Sequence, residues 1–278
     1  MAAGRMSVSE LSISKAWTET GQFLAREAGL VLPVALLLLA LPPAAEQLLV
    51  PPPGAEASLG QAATGFFLTL IVLVTSLIGG IAISHLALTP GASVGEALRR
   101  GTARFLPLLG ASMLIAIPMV LVAVLVVLAI APNAPVMRTP FDPYSMPPAL
   151  LWVITLFTLA LLFIWVKLSM GTPVASEERA GPVAIITRSW ALTKGHYWKL
   201  LGAYLIVMIL SSLAIMALTY GLGVLIFLAA GPPAFGNASF IAITLVDVFL
   251  QTVMVAVLIV LIARIYAQLT ARDSQPVA

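Results

Sequence analysis

From Phe105 to Ala131 the chain reads FLPLLGASMLIAIPMVLVAVLVVLAIA, without a single charged side chain. A helix that crosses the roughly 30 Å hydrocarbon core of a bilayer needs about 20 apolar residues, because each residue adds only about 1.5 Å. This uncharged run is longer than that requirement. It therefore predicts a membrane-spanning helix and sets the class of fold expected for the rest of the chain.

The composition of the whole chain agrees with a membrane protein. The 278 residues are 61% hydrophobic and only 9% charged, whereas soluble domains carry about 25% charged residues. So few charges cannot cover the surface of a soluble protein, which excludes that class. The absence of cysteine excludes a disulfide scaffold and a thiolate metal site. The net charge of +3 rests on few residues, so it indicates membrane orientation and no nucleic-acid partner.

Six segments are apolar and long enough to span a membrane, and they lie near residues 29–50, 62–88, 105–131, 149–170, 200–230 and 239–268. The first is the weakest, because Pro42 and Pro43 interrupt it. Residues 30–41 also fit the apolar core of a signal peptide. Three glutamates precede them, whereas a signal peptide begins with a short basic segment. We therefore expect all six helices to be retained, in an all-α polytopic membrane protein with one domain over residues 1–278.

The basic residues predict the orientation of the spans. All of the Lys and Arg residues except Arg138 fall on one side of the six predicted helices. Because Lys and Arg favour cytoplasmic loops, we expect both termini to be cytoplasmic, in a bacterial inner membrane. The opposite connections, at residues 51–54, 132–148 and 231–233, are short and rich in proline. They predict turns, and they are too small for an enzymatic domain.

Three segments on the basic side resemble one another, and each precedes a pair of predicted spans. At residues 16–23, 97–105 and 189–198, an amphipathic stretch and a glycine are followed by an aromatic residue. This pattern predicts a parallel three-fold repeat of one interfacial helix and two spans, over residues 7–88, 92–170 and 182–270. The alternative is that basic segments before membrane helices generally share this composition.

Capping residues predict where the interfacial helices begin and end. Ser7 and Ser93, each with a glutamate three residues later, fit the capping box at a helix start. Pro182 fits the first position of the third interfacial helix. Gly101 and Gly195 fit the left-handed residue that ends a helix, because cations occupy the turn before each of them.

Residues 184–202 read AIITRSWALTKGHYWKLLG, and their most specific parts are Arg188-Ser189-Trp190, Leu192-Thr193-Lys194-Gly195 and Trp198. This run resembles the signature of YciC-like bacterial proteins, which are also described as the membrane domain of glycerophosphodiester phosphodiesterases. The resemblance is close over this run and loose over the six-span layout. It implies a multi-span bacterial membrane protein concerned with lipid or envelope biology, without the soluble phosphodiesterase domain. It implies no particular reaction.

Asp247 is the most informative polar residue inside a predicted span. Thr244 precedes it by about one turn and Gln251 follows it by one turn, so the three side chains share a helix face. A charge inside a span is costly and usually faces the bundle interior or water. These residues fit an ion, proton or headgroup site, and they also fit a hydrogen-bonded contact between helices.

The second span carries small residues on one face. Ser76, Gly80 and Ser84 recur every four residues, and small residues at this spacing allow two membrane helices to approach closely. We expect this face to pack inside the bundle, with self-association of two copies as the alternative.

Basic and aromatic residues on the predicted cytoplasmic side fit contacts with anionic lipid headgroups. Each cation near a charged leaflet contributes about 1 kcal/mol, and tryptophan is enriched at the interface. The predicted residues are Arg99, Arg100, Arg188, Trp190, Lys194, Trp198 and Lys199. The alternative is general anchoring by positive charge.

The sequence contains no convincing catalytic or metal-binding constellation. Residues 91–95 read GASVG and match G-x-S-x-G, but a nucleophile elbow requires a strand before the serine. We therefore expect Ser93 to cap a helix. His85 and His196 are expected to be polar anchors at the interface, because a zinc site needs three or four ligands. We expect no metal and no cofactor.

The residue pattern favours a non-catalytic membrane protein, which would be a scaffold, an accessory subunit or a lipid-organising factor. Its expected partners are membrane lipids, with a membrane-protein partner or a second copy of the chain as further partners. The alternative is a transporter, channel or lipid translocator that uses the polar site around Asp247. A lipid-modifying enzyme is a third hypothesis, for which no acid–base pair is evident.

Overall fold

The computed structural model describes residues 11–51, 59–130 and 148–273, and within these ranges the regular elements are all helical. They are α1 (Ile13–Ala35), a π-helical segment (Leu36–Ala40), α2 (Leu41–Leu49), α3 (Leu59–Leu88), α4 (Val94–Ile130), α5 (Pro148–Leu168), α6 (Gly171–Glu177), α7 (Pro182–Thr193), α8 (Tyr197–Ala230) and α9 (Ala238–Asp273). Six helical segments are long and apolar enough to cross a membrane. The prediction of an all-α polytopic membrane protein is confirmed.

One end of the bundle contains the start of α1, the end of α3, the start of α4, the end of α5, helices α6 and α7 with the turns that flank them, the start of α8 and the end of α9. The backbone N–H of Ser12 donates to Gln268 Oε1 over 3.3 Å, which joins α1 to α9. Ser189 Oγ donates to the carbonyl of Lys167 over 2.8 Å, which joins α7 to α5. We call this the basic end, because these segments carry the described Lys and Arg residues.

The first span is continuous although prolines occur within it. Pro42 lies in the first turn of α2, where a missing N–H removes no intrahelical hydrogen bond. The π-helical segment before it absorbs the change in hydrogen-bond register. A bend at Glu27, with φ −111° and ψ 16°, separates the amphipathic start of α1 from its membrane part. The predicted first interfacial helix is therefore the first section of the spanning helix.

The helix ends confirm some capping predictions and correct one. The N–H of Glu96 donates to Ser93 Oγ over 3.2 Å, so Ser93 caps α4 as expected. Gly195 has φ +82° and follows α7, which begins at Pro182 as predicted. The prediction that Gly101 ends a helix is wrong, because α4 runs through it without a break.

Gly101 is required for a close contact between α3 and α4. A Cβ atom there would lie 2.7 Å from the carbonyl oxygen of Ile78. The second predicted interfacial helix is therefore the first section of α4, and only the third, α7, is a separate helix. The three-fold repeat stays a prediction. Ser7, Arg138 and the proline-rich residues 132–147 lie outside the described ranges.

The buried core lies toward the basic end. Buried residues occupy 79–87 of α3, and further ones lie near the start of α8 and in the second half of α9. The remaining halves of α4, α5 and α8 expose large apolar side chains, among them Leu121, Trp152 and Leu225. In hydrocarbon such exposure costs little, because lipid tails are as apolar as leucine. Tight packing is therefore found mainly toward the basic end.

The opposite end contains one described turn, between α8 and α9. Gly231 has φ +83°, and Asn237 Nδ2 donates to the carbonyl of Pro232 over 2.9 Å. Asn237 Oδ1 also accepts the N–H of Phe240 over 2.9 Å and so caps α9. The prediction of a turn at residues 231–233 is confirmed.

Candidate functional site

A cluster of charged and polar side chains joins α3, α6, α7 and α9 at the basic end. His85 Nδ1 lies 3.0 Å from Glu177 Oε1, and the histidine side chain is only 8% exposed. Arg188 Nε and the hydroxyl of Tyr266 both donate to Glu178 Oε1, over 3.1 Å and 3.0 Å. Glu177 and Glu178, at the end of α6, therefore contact side chains from α3, α7 and α9.

Arg100 connects α4 to the same cluster. Its Nε donates to the carbonyl of Ser176 over 2.6 Å, and its Nη2 donates to the carbonyl of Glu177 over 3.4 Å. These carbonyls end α6, where the helix dipole favours a cation. We call the cluster the polar network, and its members are His85, Arg100, Glu177, Glu178, Arg188 and Tyr266. Its side chains connect the end of α6 to α3, α4, α7 and α9.

A second arrangement surrounds Lys167 in the last turn of α5. Its Nζ lies 5.2 Å from the ring centroid of Trp190, 5.7 Å from that of Tyr197 and 6.0 Å from that of Phe163. Lys167 is only 8% exposed. Among the described residues, no acidic side chain forms an ion pair with it. The Lys167 ammonium group therefore has three aromatic rings near it and no acidic partner among the described residues.

These side chains border an open groove of about 640 Å³, which we call the Lys167 groove. It is lined by Leu159, Leu162, Phe163, Lys167, Trp190, Tyr197, Trp198 and Leu201. Ser189 Oγ positions α7 by donating to the Lys167 carbonyl, and the turn at Gly195 places Tyr197 at the start of α8. The groove thus combines one cation, four aromatic rings and three leucines.

The predicted headgroup residues separate into three groups. Arg100 and Arg188 belong to the polar network, and Trp190 and Trp198 line the Lys167 groove. The remaining three are exposed at the basic end: Arg99, Lys194 and Lys199. Their contact with lipid stays a prediction.

The polar residues inside the last span form a contact with α8. Asp247 Oδ1 accepts a hydrogen bond from Thr219 over 3.4 Å, and Asp247 Oδ2 accepts one from Gln251 Nε2. Thr244 is buried, at 6% exposure, and has no hydrogen bond to Asp247 in the described structure. The shared helix face is therefore present, and the residue that completes it, Thr219, belongs to another span.

Gln251 also borders a small cavity in the middle of the bundle. The cavity has a volume of about 200 Å³, and Gln47, Ser76 and Thr252 contribute polar groups to it. Thr252 Oγ1 donates to the carbonyl of Leu39 in the π-helical segment over 3.4 Å. Such segments often occur at functional sites. The cavity thus places polar groups from three helices at membrane depth.

The small-residue face of α3 is partly buried in the bundle. Gly80 and Ser84 are buried, and Ser76 borders the central cavity. The closest approach occurs one residue away, at Gly79, where a Cβ atom would lie 2.9 Å from Leu39 Cδ2. Gly79, next to the small-residue face, therefore allows α3 to approach the π-helical segment closely.

The two histidines differ in environment. His85 belongs to the polar network and is buried, so it is more enclosed than an interfacial anchor. His196 Nδ1 lies 3.2 Å from the carbonyl of Lys194, in the turn before α8. Within the described ranges, no group of three or more potential metal ligands occurs.

Sequence reasoning missed Lys167, Phe163 and Tyr197 as partners. From the sequence, Lys167 is one of the basic residues that predict the orientation of the spans. A signal was present, because Phe163 precedes Lys167 by four residues and therefore shares its helix face. The other rings belong to α7 and α8, and their approach depends on the turns between helices.

The fold and these sites define a polytopic α-helical membrane protein, packed through a polar network at its basic end. The chain belongs to the family described as "Domain of unknown function (DUF7847)", whose model matches residues 11–269. No curated protein matches the chain, and no solved structure matches it.

Proposed function

We propose that this is a non-catalytic protein of the bacterial inner membrane, with both termini in the cytoplasm, that organises anionic lipids through the Lys167 groove. The observation that carries the proposal is a lysine side chain that is only 8% exposed, with aromatic rings around its ammonium group and no acidic partner among the described residues. The resemblance of residues 184–202 to YciC-like proteins supports a lipid-related role and stays a prediction.

The energetics of Lys167 favour an external anion. Withdrawing an ammonium group from water, even in part, is unfavourable unless an opposite charge compensates it. A cation–π contact returns about 0.5–2 kcal/mol, depending on how far it is desolvated. The rings therefore offset part of the cost, and a lipid phosphate at the membrane surface supplies the missing negative charge. Leu159 and Leu201 provide apolar surface for the start of an acyl chain.

Native mass spectrometry of the protein released from its own membrane in mild detergent tests the proposal. Lys167→Met keeps the length and apolar stem of the side chain and removes the charge. We expect the wild type to retain phosphatidylglycerol or another anionic lipid. Because a hydrogen bond to a charged group contributes about 1.5–3 kcal/mol, the variant should bind that lipid about 10- to 100-fold more weakly.

Lys15→Met is the matched control. It removes the same charge from the basic end, at a side chain that is 68% exposed and 3.8 Å from Glu19. The control should retain lipid as the wild type does. Equal retention by both variants would show that the Lys167 groove is not the binding site, and a stoichiometric protein partner would instead favour a scaffold or accessory subunit.

A second candidate function is translocation of an ion or lipid, and the central cavity with its neighbour Asp247 favours it. Two probes test it in liposomes of the purified protein: proton flux into vesicles that contain a pH-sensitive dye, and flip of fluorescent phosphatidylglycerol. Asp247→Asn should abolish flux or change its pH dependence. Flux that is absent in the wild type, or unchanged in the variant, removes this candidate.

A further inference from the structure

A second cavity at the basic end is lined differently from the Lys167 groove. It has a volume of about 370 Å³, which lies in the range of small-molecule sites. It lies between the first section of α1, the turn at residues 89–92 and α9. Its charged lining residues include Arg26 and Glu27 from α1 and Arg264 from α9. The Lys167 groove presents one cation, whereas this cavity presents both positive and negative side chains.

Arg264 carries a donor atom that the described residues leave unsatisfied. Its Nε atom is buried and has no hydrogen-bond partner, and Phe23 stacks 5.0 Å from its guanidinium carbon. The other inward-facing arginines differ, because Arg100 donates to backbone carbonyls and Arg188 to Glu178. No ion pair of Arg264 occurs within the described residues.

The guanidinium group indicates the chemistry of one end of a ligand. Its planar donors match a phosphate or carboxylate through paired hydrogen bonds. Phe23 lies over one face of the guanidinium group, whereas the donors for an oxyanion lie at its edge. At the basic end, where headgroups of a bilayer lie, phosphate is the abundant oxyanion.

Carboxylates in the same cavity indicate the other end of the ligand. Glu27 lies at the bend of α1, and it forms no ion pair with any described residue. Glu19 also lines the cavity, although Lys15 lies 3.8 Å from it. Two glutamates and two arginines line the cavity, so their charges balance and offer a simple anion no net attraction. A ligand that also carries an ammonium group gains a favourable contact with the carboxylates as well as with the arginines.

We propose that this cavity binds a zwitterion of the phosphoethanolamine type, with its phosphate at Arg264 and its ammonium group at Glu27. The ligand is either the headgroup of phosphatidylethanolamine or the free phosphoethanolamine molecule, which share this chemistry. The proposal does not rest on the Lys167 groove, because the two sites share no lining residue.

Calorimetric titration of the full-length protein in detergent tests the proposal. The titrants are phosphoethanolamine, inorganic phosphate and ethanolamine. We expect phosphoethanolamine to bind at least about tenfold more tightly than either half of it, because it alone contacts both charges. Arg264→Gln should weaken its binding by about 10- to 100-fold. Glu27→Gln should remove the preference for phosphoethanolamine over phosphate.

Arg179→Gln is the control, since it removes an exposed arginine that lies outside the cavity. It should bind phosphoethanolamine as the wild type does. If Arg264→Gln does not fold, Arg264→Lys keeps the charge while losing the planar donors, and it should bind more weakly than the wild type. Glu27→Gln tests the site independently of Arg264, because Glu27 lies on α1 and Arg264 on α9.

Nanodiscs distinguish the two sources of the ligand. If phosphatidylethanolamine displaces phosphoethanolamine and phosphatidylglycerol does not, the lipid is the ligand. If neither lipid displaces it while binding still depends on Arg264, the free molecule is the ligand. Either result supports the site. Binding that is unaffected at Arg264, or phosphate that binds as tightly as phosphoethanolamine in the wild type, overturns the proposal.

Discussion

Replacing Gly101 by alanine should force α3 and α4 apart where they approach closely. The new Cβ atom would lie 2.7 Å from the carbonyl oxygen of Ile78 and 3.0 Å from its Cγ2 atom. Ordinary contact begins at 3.4 Å, so α3 and α4 must move apart by about 0.7 Å or bend locally. Because the opposing atom belongs to the backbone, a change of rotamer cannot relieve the clash.

The expected cost combines overpacking with helix propensity. Overpacking of a well-packed contact costs about 1–3 kcal/mol, whereas alanine gains about 1 kcal/mol over glycine inside a helix. Gly202→Ala in α8 is the matched control, because nothing lies within 4 Å of its added Cβ atom. We expect the Gly202 variant to be as stable as the wild type or slightly more stable. Both variants gain the same helix propensity, so the Gly101 variant should be less stable than this control by the overpacking cost alone, about 1–3 kcal/mol.

Unfolding of the purified protein in mixed micelles by increasing SDS, followed by tryptophan fluorescence, measures the difference. The double variant Ile78→Ala/Gly101→Ala adds a further check. It removes the Cγ2 contact but leaves the carbonyl contact, so it should not recover the lost stability. Equal stability of the Gly101 and Gly202 variants would refute the close approach of α3 and α4.

Three further predictions concern contacts at the basic end and in the central cavity. Arg100→Gln removes charged hydrogen bonds to the end of α6 and should lower the unfolding free energy by about 1.5–3 kcal/mol, whereas the exposed Arg99→Gln should change it by less than about 0.5 kcal/mol in the same SDS titration. Ser189→Ala leaves the carbonyl at the end of α5 without its closest donor and should cost about 1 kcal/mol; amide exchange should then rise in α7 first. Thr252→Val should cost about 0.6 kcal/mol, as hydrogen bonds between membrane helices do on average, and a loss above about 2 kcal/mol would contradict this value.

The spans were predictable because the signal is local and large. Each span contains enough consecutive apolar residues to decide its environment without knowledge of its neighbours. Capping at Ser93 and the turn at Gly195 were predictable for the same reason, because the groups that they satisfy are a few residues away. Even the continuous first span, despite Pro42, follows from a local change of helix register.

Gly101 shows where local reasoning fails. A glycine after two arginines fits a helix end, and it fits equally a point of close helix contact. The deciding atom is the carbonyl of Ile78 on another helix, which no pattern near residue 101 contains.

The candidate sites also combine features that depend on neighbouring residues with features that depend on distant helices. Hydropathy and helical periodicity act over neighbouring residues, so the amino-acid pattern alone predicts the class of protein, the six apolar spans and the shared face of Asp247 and Gln251. No such pattern shows that rings from three helices surround Lys167, that Thr219 contacts Asp247, or that Arg264 lies at a cavity without a described acceptor. Those arrangements depend on how helices distant in sequence pack at the basic end, and the energy of that packing is shared among many residues.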